Sequence, residues 1–557
     1  MNKLPMVSIP VCPCSIKLWI LGIMKLFVFL LMILPVQLLA QPSNEKVSTT
    51  FSFNGEPFLA VSPLNSQNIA VAWMCYSATA KVIAIRTRAS SDAGATWSTP
   101  VDLPHAQTGW GSADVSMAWR KDGILFLCYI DYHNNSDTFG GVFVVHSSDG
   151  GVTWSTPVEA INADENSYIS LDRPWVAIDN STASTSGNLY IPTKPAPWHI
   201  PPSHTFFTRS IDSGETWSKE TVLDSTPFSA LDVKAPMGSP AVSSDGTLYV
   251  AYPCYDLSQK VHAGFVLATS TDGGVSFTRN FILQPSPNRD TLSKGGFRLV
   301  ADPTKADHLA LFWLDSRNGD NDIYSSTTFN GGASWSDTMR VNDDEIGNGI
   351  LQDMLWPTFS ADGKLAVVWR DRRNGKDTGY ASATDTYYAF STDGGLTFSK
   401  NFRMSDSTAP YETILDSPGN DFMSAALVND TLFAAWADTR TSTTQIPQLE
   451  IYFAKAAIGQ SSWVHMSDIS KPNTNLSIHP NPSKNNSNAT FTLDRPSHCM
   501  LSLYDQRGAM VRSLLDDEES AGDHSFSLSN AGVAAGDYLL ILETSEGRDI
   551  VKVTITP

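Results

Sequence analysis

One short turn returns six times along the chain: SSDAGATW from Ser90, SSDGGVTW from Ser147, SIDSGETW from Ser210, STDGGVSF from Ser270, TFNGGASW from Thr328 and STDGGLTF from Ser391. Its acidic or amide position falls at Asp92, Asp149, Asp212, Asp272, Asn330 and Asp393, a period of roughly 60 residues. A fixed period of that size in a strand-rich chain means a propeller or an array, because each unit must bury its apolar face against the next. The residues suit a turn between two strands. Asp accepts from backbone N–H groups ahead of it, Gly supplies a conformation closed to other residues, and Thr with Trp or Phe starts the next strand. Nothing in that chemistry requires a substrate.

Each turn closes a unit that begins with an inner strand such as SPAVSS or WPTFSA, passes a DG turn and continues in a strand such as LYVAY or LAVVW. Inner strands begin near Glu56, Ser116, Arg173, Ser239, Phe297, Trp356 and Met423, which gives seven units for six turns. The last unit, DFMSAALVNDTLFAAWADTR to IYFAKA, has three strands, while VSTTFSF near residue 50 precedes the first unit. We therefore expect the N-terminal strand to complete the last sheet and remove an open edge.

The repeated turn resembles the Asp-box, or BNR repeat, of sialidase-like β-propellers. That resemblance implies an all-β propeller with Asp-box turns over 41–466; the unit count makes it a seven-bladed β-propeller, a departure from the six blades of sialidases, and a six-bladed count stays open beside it. After the propeller, 467–476 has linker composition, and 477–557 alternates as the strands of a small C-terminal β-sandwich. HPNP (His479 to Pro482), LYDQRG (Leu503 to Gly508) and GDYLL near Tyr538 resemble the C-terminal sorting domain of the type IX secretion system of Bacteroidetes. The secretion machinery is the partner this implies.

At the other end, residues 1–40 read as a leader and signal peptide. The run MKLFVFLLMILPVQLLA, ending at Ala40, makes Met24 the better start. The run is short for a membrane span, so no transmembrane segment is expected in the mature chain, and the expected location is secreted or outer-surface. A formal charge of −19 disfavours nucleic acid as a partner. Cys75, Cys128, Cys254 and Cys499 lack metal-ligand spacing, and we expect buried thiols.

Consecutive connections in such a unit alternate between its two ends, which separates the repeated turns from the inner-strand starts where propellers commonly bind ligands. On the inner-strand side, units five to seven read WLDSR, WRDRR and WADTR, with Asp315 and Arg317, Asp371 and Arg373, and Asp438 and Arg440. These pairs are read either as loop pins or as guanidinium groups that face an anionic ligand. Unit five, GGFRLVADPTKADHLALFWLDSRNGDNDIY, is similar to the arginine-bearing first blade of sialidases. That similarity implies that Arg298 and Arg317 bind a sugar carboxylate and that Asp320 or Asp322 acts as acid/base. It also implies a Tyr nucleophile, for which Tyr411, followed by Glu412, and Tyr380 are candidates.

Arg173, in Asp172-Arg173-Pro174-Trp175, is expected to point toward the axis, and Trp198, His199 and His204 in the proline-rich loop Lys194 to His204 could meet a sugar. No cofactor is implied. The acidic loop DDEIGN from Asp343 could take calcium but lacks a known calcium-loop spacing. Three functions stand side by side: a sialidase-like exo-glycosidase on acidic glycans, a polysaccharide lyase using His133, His199 or Tyr132, and a non-catalytic glycan- or protein-binding propeller.

Overall fold

The computed structural model describes residues 43–49, 53–77, 81–133, 140–162, 171–195, 204–223, 237–254, 264–283, 296–416, 419–443, 447–458, 474–504, 510–544 and 547–556. The predicted leader and signal peptide, Trp198, His199 and most of the predicted linker lie outside the described residues. The chain divides into two compact units, Met1–Ala457 and Ile458–Pro557. Among the described residues all regular structure is strand apart from one 3-10 turn at Thr413–Asp416, and no helix is long and apolar enough to cross a membrane.

In the first unit the described strands form seven antiparallel sheets, six of four strands and one of five. Their first strands are Asn54–Val61 (sheet 1), Trp110–Trp119 (sheet 2), the split pair Leu171–Asp172 and Ala177–Ile178 (sheet 3), Ser239–Val242 (sheet 4), Phe297–Ala301 (sheet 5), Gln352–Phe359 (sheet 6) and Ser424–Val428 (sheet 7). The second strands are near-continuous apolar runs such as LALFWLD, buried throughout, as expected where both faces are covered by neighbouring sheets. First strands touch in cyclic order from sheet 1 to sheet 7 and back to sheet 1.

A hydrogen bond and a ring contact show how sheet 7 meets sheet 1. The Leu59 N–H donates to Ser424 Oγ at 2.6 Å, and Trp97 packs edge-on to Phe453 with centroids 5.2 Å apart. The fourth strand of sheet 7 is Glu45–Lys46, paired antiparallel with Tyr452 and Phe453, so the N-terminal strand covers an edge that would otherwise be open.

The repeated turns join third and fourth strands. At the second of them Asp149 Oδ1 accepts from Thr153 N at 2.9 Å and Oδ2 from Thr153 Oγ1 at 2.6 Å, while Ser147 Oγ accepts from Gly151 N at 2.8 Å. The turns at Asp92, Asp212, Asp272, Asn330 and Asp393 repeat this pattern. The turn aromatics wedge against the preceding sheet: Trp154 Nε1 reaches Thr87 Oγ1 at 3.0 Å, Phe277 meets Phe207, and Phe398 meets Phe312. The turns are joints between sheets, and every polar atom named here has a partner within the turn or the sheet beside it.

The second unit consists of two antiparallel sheets over one apolar core that includes Phe491, Leu501, Leu503, Leu528, Leu540 and Val553. Cys75, Cys128 and Cys499 are buried free thiols.

Candidate functional site

Five residues on five first strands share one register. Phe58, Ser116, Ser239, Arg298 and Trp356 each lie opposite the fourth residue of the adjoining second strand. The serines tie sheets together: Ser116 Oγ accepts from Val176 N and Ser239 Oγ from Leu299 N, both at 3.0 Å, as Ser424 Oγ does from Leu59 N. Trp175, the residue before Val176, joins the larger side chains of this layer. Phe58 lies 5.8 Å from Trp175 and 5.1 Å from Trp356, and Phe422 lies 4.9 Å from Trp175. Side chains from sheets 1, 3, 6 and the approach to sheet 7 thus meet as one aromatic floor.

Arg298 from sheet 5 is set into this floor. Its guanidinium carbon is 3.5 Å from the centre of the Trp356 ring and 4.6 Å from that of Trp175. Its Nε is buried without a partner, and among the described residues no carboxylate pairs with the group. Burial pulls its pKa down to about 9, the signature of a desolvated cation that lacks a counter-ion. An anion arriving here would meet an uncommitted planar fork on aromatic faces.

Two residues upstream the first strands enter through strained backbone. Glu56, Asp114, Arg173 and Met354 have φ of 52°, 54°, 50° and 53°, three of them within β-bulges. A left-handed conformation costs a non-glycine residue ~1 kcal/mol, and bulges re-aim side chains, so four aligned examples mark a place the fold holds deliberately. Glu56, Asp114 and Arg173 converge there. The Arg173 N–H donates to Asp114 Oδ2 at 3.0 Å, its Nη2 donates to Asp421 Oδ2 at 2.8 Å, and Lys194 Nζ pairs with Asp172.

Burial, together with the charge of Asp421, raises the Glu56 carboxyl to about 7, and Arg173 only partly opposes this. Burial and the neighbouring Asp172 and Glu56 hold Asp114 well above the carboxylate range. Burial works against the charge of Arg173, but Asp421 and Asp172 outweigh it and keep the group firmly cationic.

A second cluster lies three residues before Trp356 on the same strand, roughly 10 Å away along the backbone. Asp353, fully buried, receives Arg370 through two bonds of 2.6 and 2.5 Å and Arg372 at 3.0 Å. Burial would raise its carboxyl, yet the two arginines outweigh burial and hold it well below the usual range. The half-buried Tyr411 adjoins this cluster, where burial and the charge of Asp416 raise its phenol. Glu412, the neighbour in sequence, instead offers its carbonyl to Leu415 N.

The other predicted arginines go elsewhere. In sheet 5, Trp313 Nε1 and Arg317 Nη2 both donate to Asp315, and the Arg317 guanidinium lies 4.4 Å from the Tyr324 ring centre. Arg373 repeats this with Asp371 and Tyr387, and Arg440 with Asp438 and Tyr452. The repetition continues one layer out: Arg340 pairs with Asp322, Arg403 with Asp385, and Lys46 with Glu450. In these three sheets the first Asp anchors Trp and Arg, Arg covers Tyr, and a cation from the fourth strand meets an acid on the third. Arg317, Arg373, Arg440 and Asp322 are members of that lock, and the structure does not bring them to Arg298.

Asp320 accepts from Gly349 N at 2.7 Å through Oδ2 while its Oδ1 is buried and unpartnered, and burial raises its carboxyl. Tyr380 accepts from Asn321 at 2.8 Å, with Arg372 stacked over it. Asp344, in the acidic loop, is held by Asn342 and Asn348, and among the described residues no group of acids, His and Cys could hold a metal ion.

Of the predicted residues, Arg298 stands on the aromatic floor, Arg173 beside Glu56 and Asp114, and Tyr411 beside Arg370, Arg372 and Asp416, five neighbours that the sequence did not single out. Arg370 and Arg372 stand inside WRDRR, flanking the Asp that drew attention. The shared position two residues before the aromatic layer is a signal that becomes visible once the strands are aligned.

No protein-family model matches the chain, and no curated protein sequence is similar to it. Solved structures to which it is similar include the phage phi92 endosialidase, at 12% identity over 92% of this chain and 87% of that one, TM-score 0.43. They also include the NanB sialidase of Streptococcus pneumoniae, at 13% over 74% and 69%, TM-score 0.39. A third is an ulvan lyase of polysaccharide lyase family 25, at 10% over 74% and 94%, TM-score 0.42. At these identities no residue of this chain takes a role from them.

Proposed function

We propose that this chain is an exported seven-bladed β-propeller that acts on glycans with an acidic terminal sugar, as a sialidase-like exo-glycosidase, and that its C-terminal sandwich is a sorting domain read by secretion machinery. The observation that carries the glycan reading is Arg298: a guanidinium on two indole rings, with no carboxylate partner among the described residues, where the first strands converge. A sugar carboxylate supplies the missing counter-ion, and the indoles and Phe58 supply flat apolar faces for the ring. Arg173 is the second cation available at this end of the strands.

Tyr411 is the attacking group in this reading. Its phenol would pass its proton to Asp416 as the Tyr oxygen bonds to the anomeric carbon and the glycosidic C–O bond breaks, the aglycone oxygen leaving with a proton drawn from solvent, and Arg370 and Arg372 would offset the charge that develops on the Tyr oxygen. Asp322 leaves the reading, because Arg340 and Asn342 already hold it.

Incubation of the full chain with a fluorogenic sialoside and with uronate polysaccharides tests the proposal. Released sialic acid supports it. An unsaturated uronate absorbing in the ultraviolet would replace it with a lyase, and no product with either would leave a binding protein.

A further inference from the structure

Asp131 stands near the end of the second strand of sheet 2, at the position that Asp315, Asp371 and Asp438 hold in sheets 5 to 7. In those sheets the acid anchors an indole N–H and an arginine. In sheet 2 it holds a different set. Ser112 Oγ donates to Asp131 Oδ1 at 2.8 Å, the Ala106 N–H donates to Oδ2 at 2.5 Å, and His105 Nδ1 lies 2.8 Å from Ser112 Oγ and 3.2 Å from Oδ1.

These contacts fix the ring. The Ser112 hydroxyl has a single proton and gives it to Asp131, so toward His105 both the serine oxygen and the carboxylate can only accept. Nδ1 therefore carries a proton, and Nε2 is the end of the ring that is left open. Among the described residues no group bonds Nε2, and the His105 side chain is 19% exposed while Asp131 is fully buried. The loop does not need the imidazole as a fastener, because Tyr129 donates to the Pro104 carbonyl at 3.1 Å and Asp131 takes the Ala106 N–H, which ties the backbone on both sides of His105. Where sheets 5 to 7 carry a permanent cation, sheet 2 thus carries a group that gains and loses a proton at an open nitrogen.

His105 precedes the first strand of sheet 2, on the side where the inner strands begin. Ser112 stands two residues before Asp114 and four before Ser116, which shares the register of Arg298, so His105 lies at the rim above the aromatic floor. Tyr411 packs on the core shared by sheets 7 and 1, which places it on one side of sheet 1 and His105 on the other. A sugar whose carboxylate rests on Arg298 turns its aglycone toward this rim.

We propose that His105 is the proton-transfer group of the exo-glycosidase reading, on which this inference rests, and that Asp131 and Ser112 are its positioning residues. As the Tyr411 oxygen bonds to the anomeric carbon and the glycosidic C–O bond breaks, Nε2–H, protonated from solvent, gives its proton to the departing aglycone oxygen. The neutral ring then takes a proton from the water whose oxygen replaces Tyr411 at the anomeric carbon, and Asp416 returns its proton to the Tyr oxygen.

The test compares kcat/KM, which reports the steps up to departure of the aglycone, on two sialosides: one with a sugar aglycone, which must be protonated to leave, and one with an aryl aglycone, which leaves as a phenolate. His105→Asn keeps a donor at the place of Nδ1 and removes Nε2, and His105→Gln removes both ring nitrogens. Each should lower kcat/KM on the sugar aglycone by at least about 100-fold, with a fall at least about tenfold smaller on the aryl sialoside. Equal losses on the two substrates, no loss on either, or a loss confined to His105→Gln would mark a loop pin and overturn the inference. A wild type that cleaves neither sialoside ends the exo-glycosidase reading and this inference with it, whereas a wild type that cleaves both, with variants that lack the split, ends the inference alone.

Discussion

Arg298 and Trp356 face each other at 3.5 Å, guanidinium carbon to ring centre, and the arginine has no carboxylate partner in the described structure, whereas Arg317 sits between Asp315 and Tyr324. Two arginines that the sequence groups into one site thus do different work.

That difference predicts opposite phenotypes. Arg298→Ala removes an unpaired, half-buried cation and should leave stability within about 1 kcal/mol of wild type while abolishing acidic-glycan binding. Arg317→Ala takes the counter-ion from the fully buried Asp315, which keeps the Trp313 Nε1 and backbone donors, and should lower stability by about 2 kcal/mol with affinity nearly unchanged. Urea denaturation beside glycan titration reads both.

The junction of sheets 7 and 1 can be tested with two glycines. Gly94 and Gly187 both hold left-handed backbone, at φ of 83° and 92°, so an alanine is strained at either. At Gly94 the new Cβ would lie 2.2 Å from Phe453, and at Gly187 nothing lies within 4 Å. Gly187→Ala should cost ~1 kcal/mol and Gly94→Ala at least twice that. Equal losses in thermal unfolding would mean that sheet 1 does not press on sheet 7.

Stability should also peak on the acid side of neutrality. Burial raises Glu56 from an ordinary 4.5 to about 7 in the fold, so the stability it contributes is complete at low pH and is lost as pH rises through 7, amounting to up to ~3 kcal/mol. The turn carboxylates behave in the opposite sense. Asp92, pulled to about 2 by its bonds from Thr96, contributes above its unfolded pKa and loses that contribution as pH falls below 4. Chemical denaturation across pH 3 to pH 9 should therefore show a maximum between about 4 and 6, and Glu56→Gln should flatten its alkaline limb.

The repeated turns were legible because a turn is local: Asp149, Gly151 and Thr153 bond one another within five residues, so their spacing survives in the sequence. The lock in sheets 5 to 7 was half legible. WLDSR shows Asp315 and Arg317, but the Tyr324 that Arg317 covers stands on the next strand, and the Arg340 that meets Asp322 on the one after. The axial site was least legible. Glu56, Asp114, Arg173 and Asp421 are each alone in their own stretch of chain, and bulges alter the register just where they turn inward. Convergence around an axis is a long-range property that no window of sequence contains.

The central claim is that Arg298 receives an acidic sugar where the first strands converge. Sialic acid titrated calorimetrically into the wild type and into Arg298→Ala tests it most directly. Binding by the wild type that falls at least 100-fold in the variant, with Arg317→Ala unaffected, is the result this account predicts. Equal binding by wild type and Arg298→Ala, or its loss in Arg317→Ala alone, would contradict it.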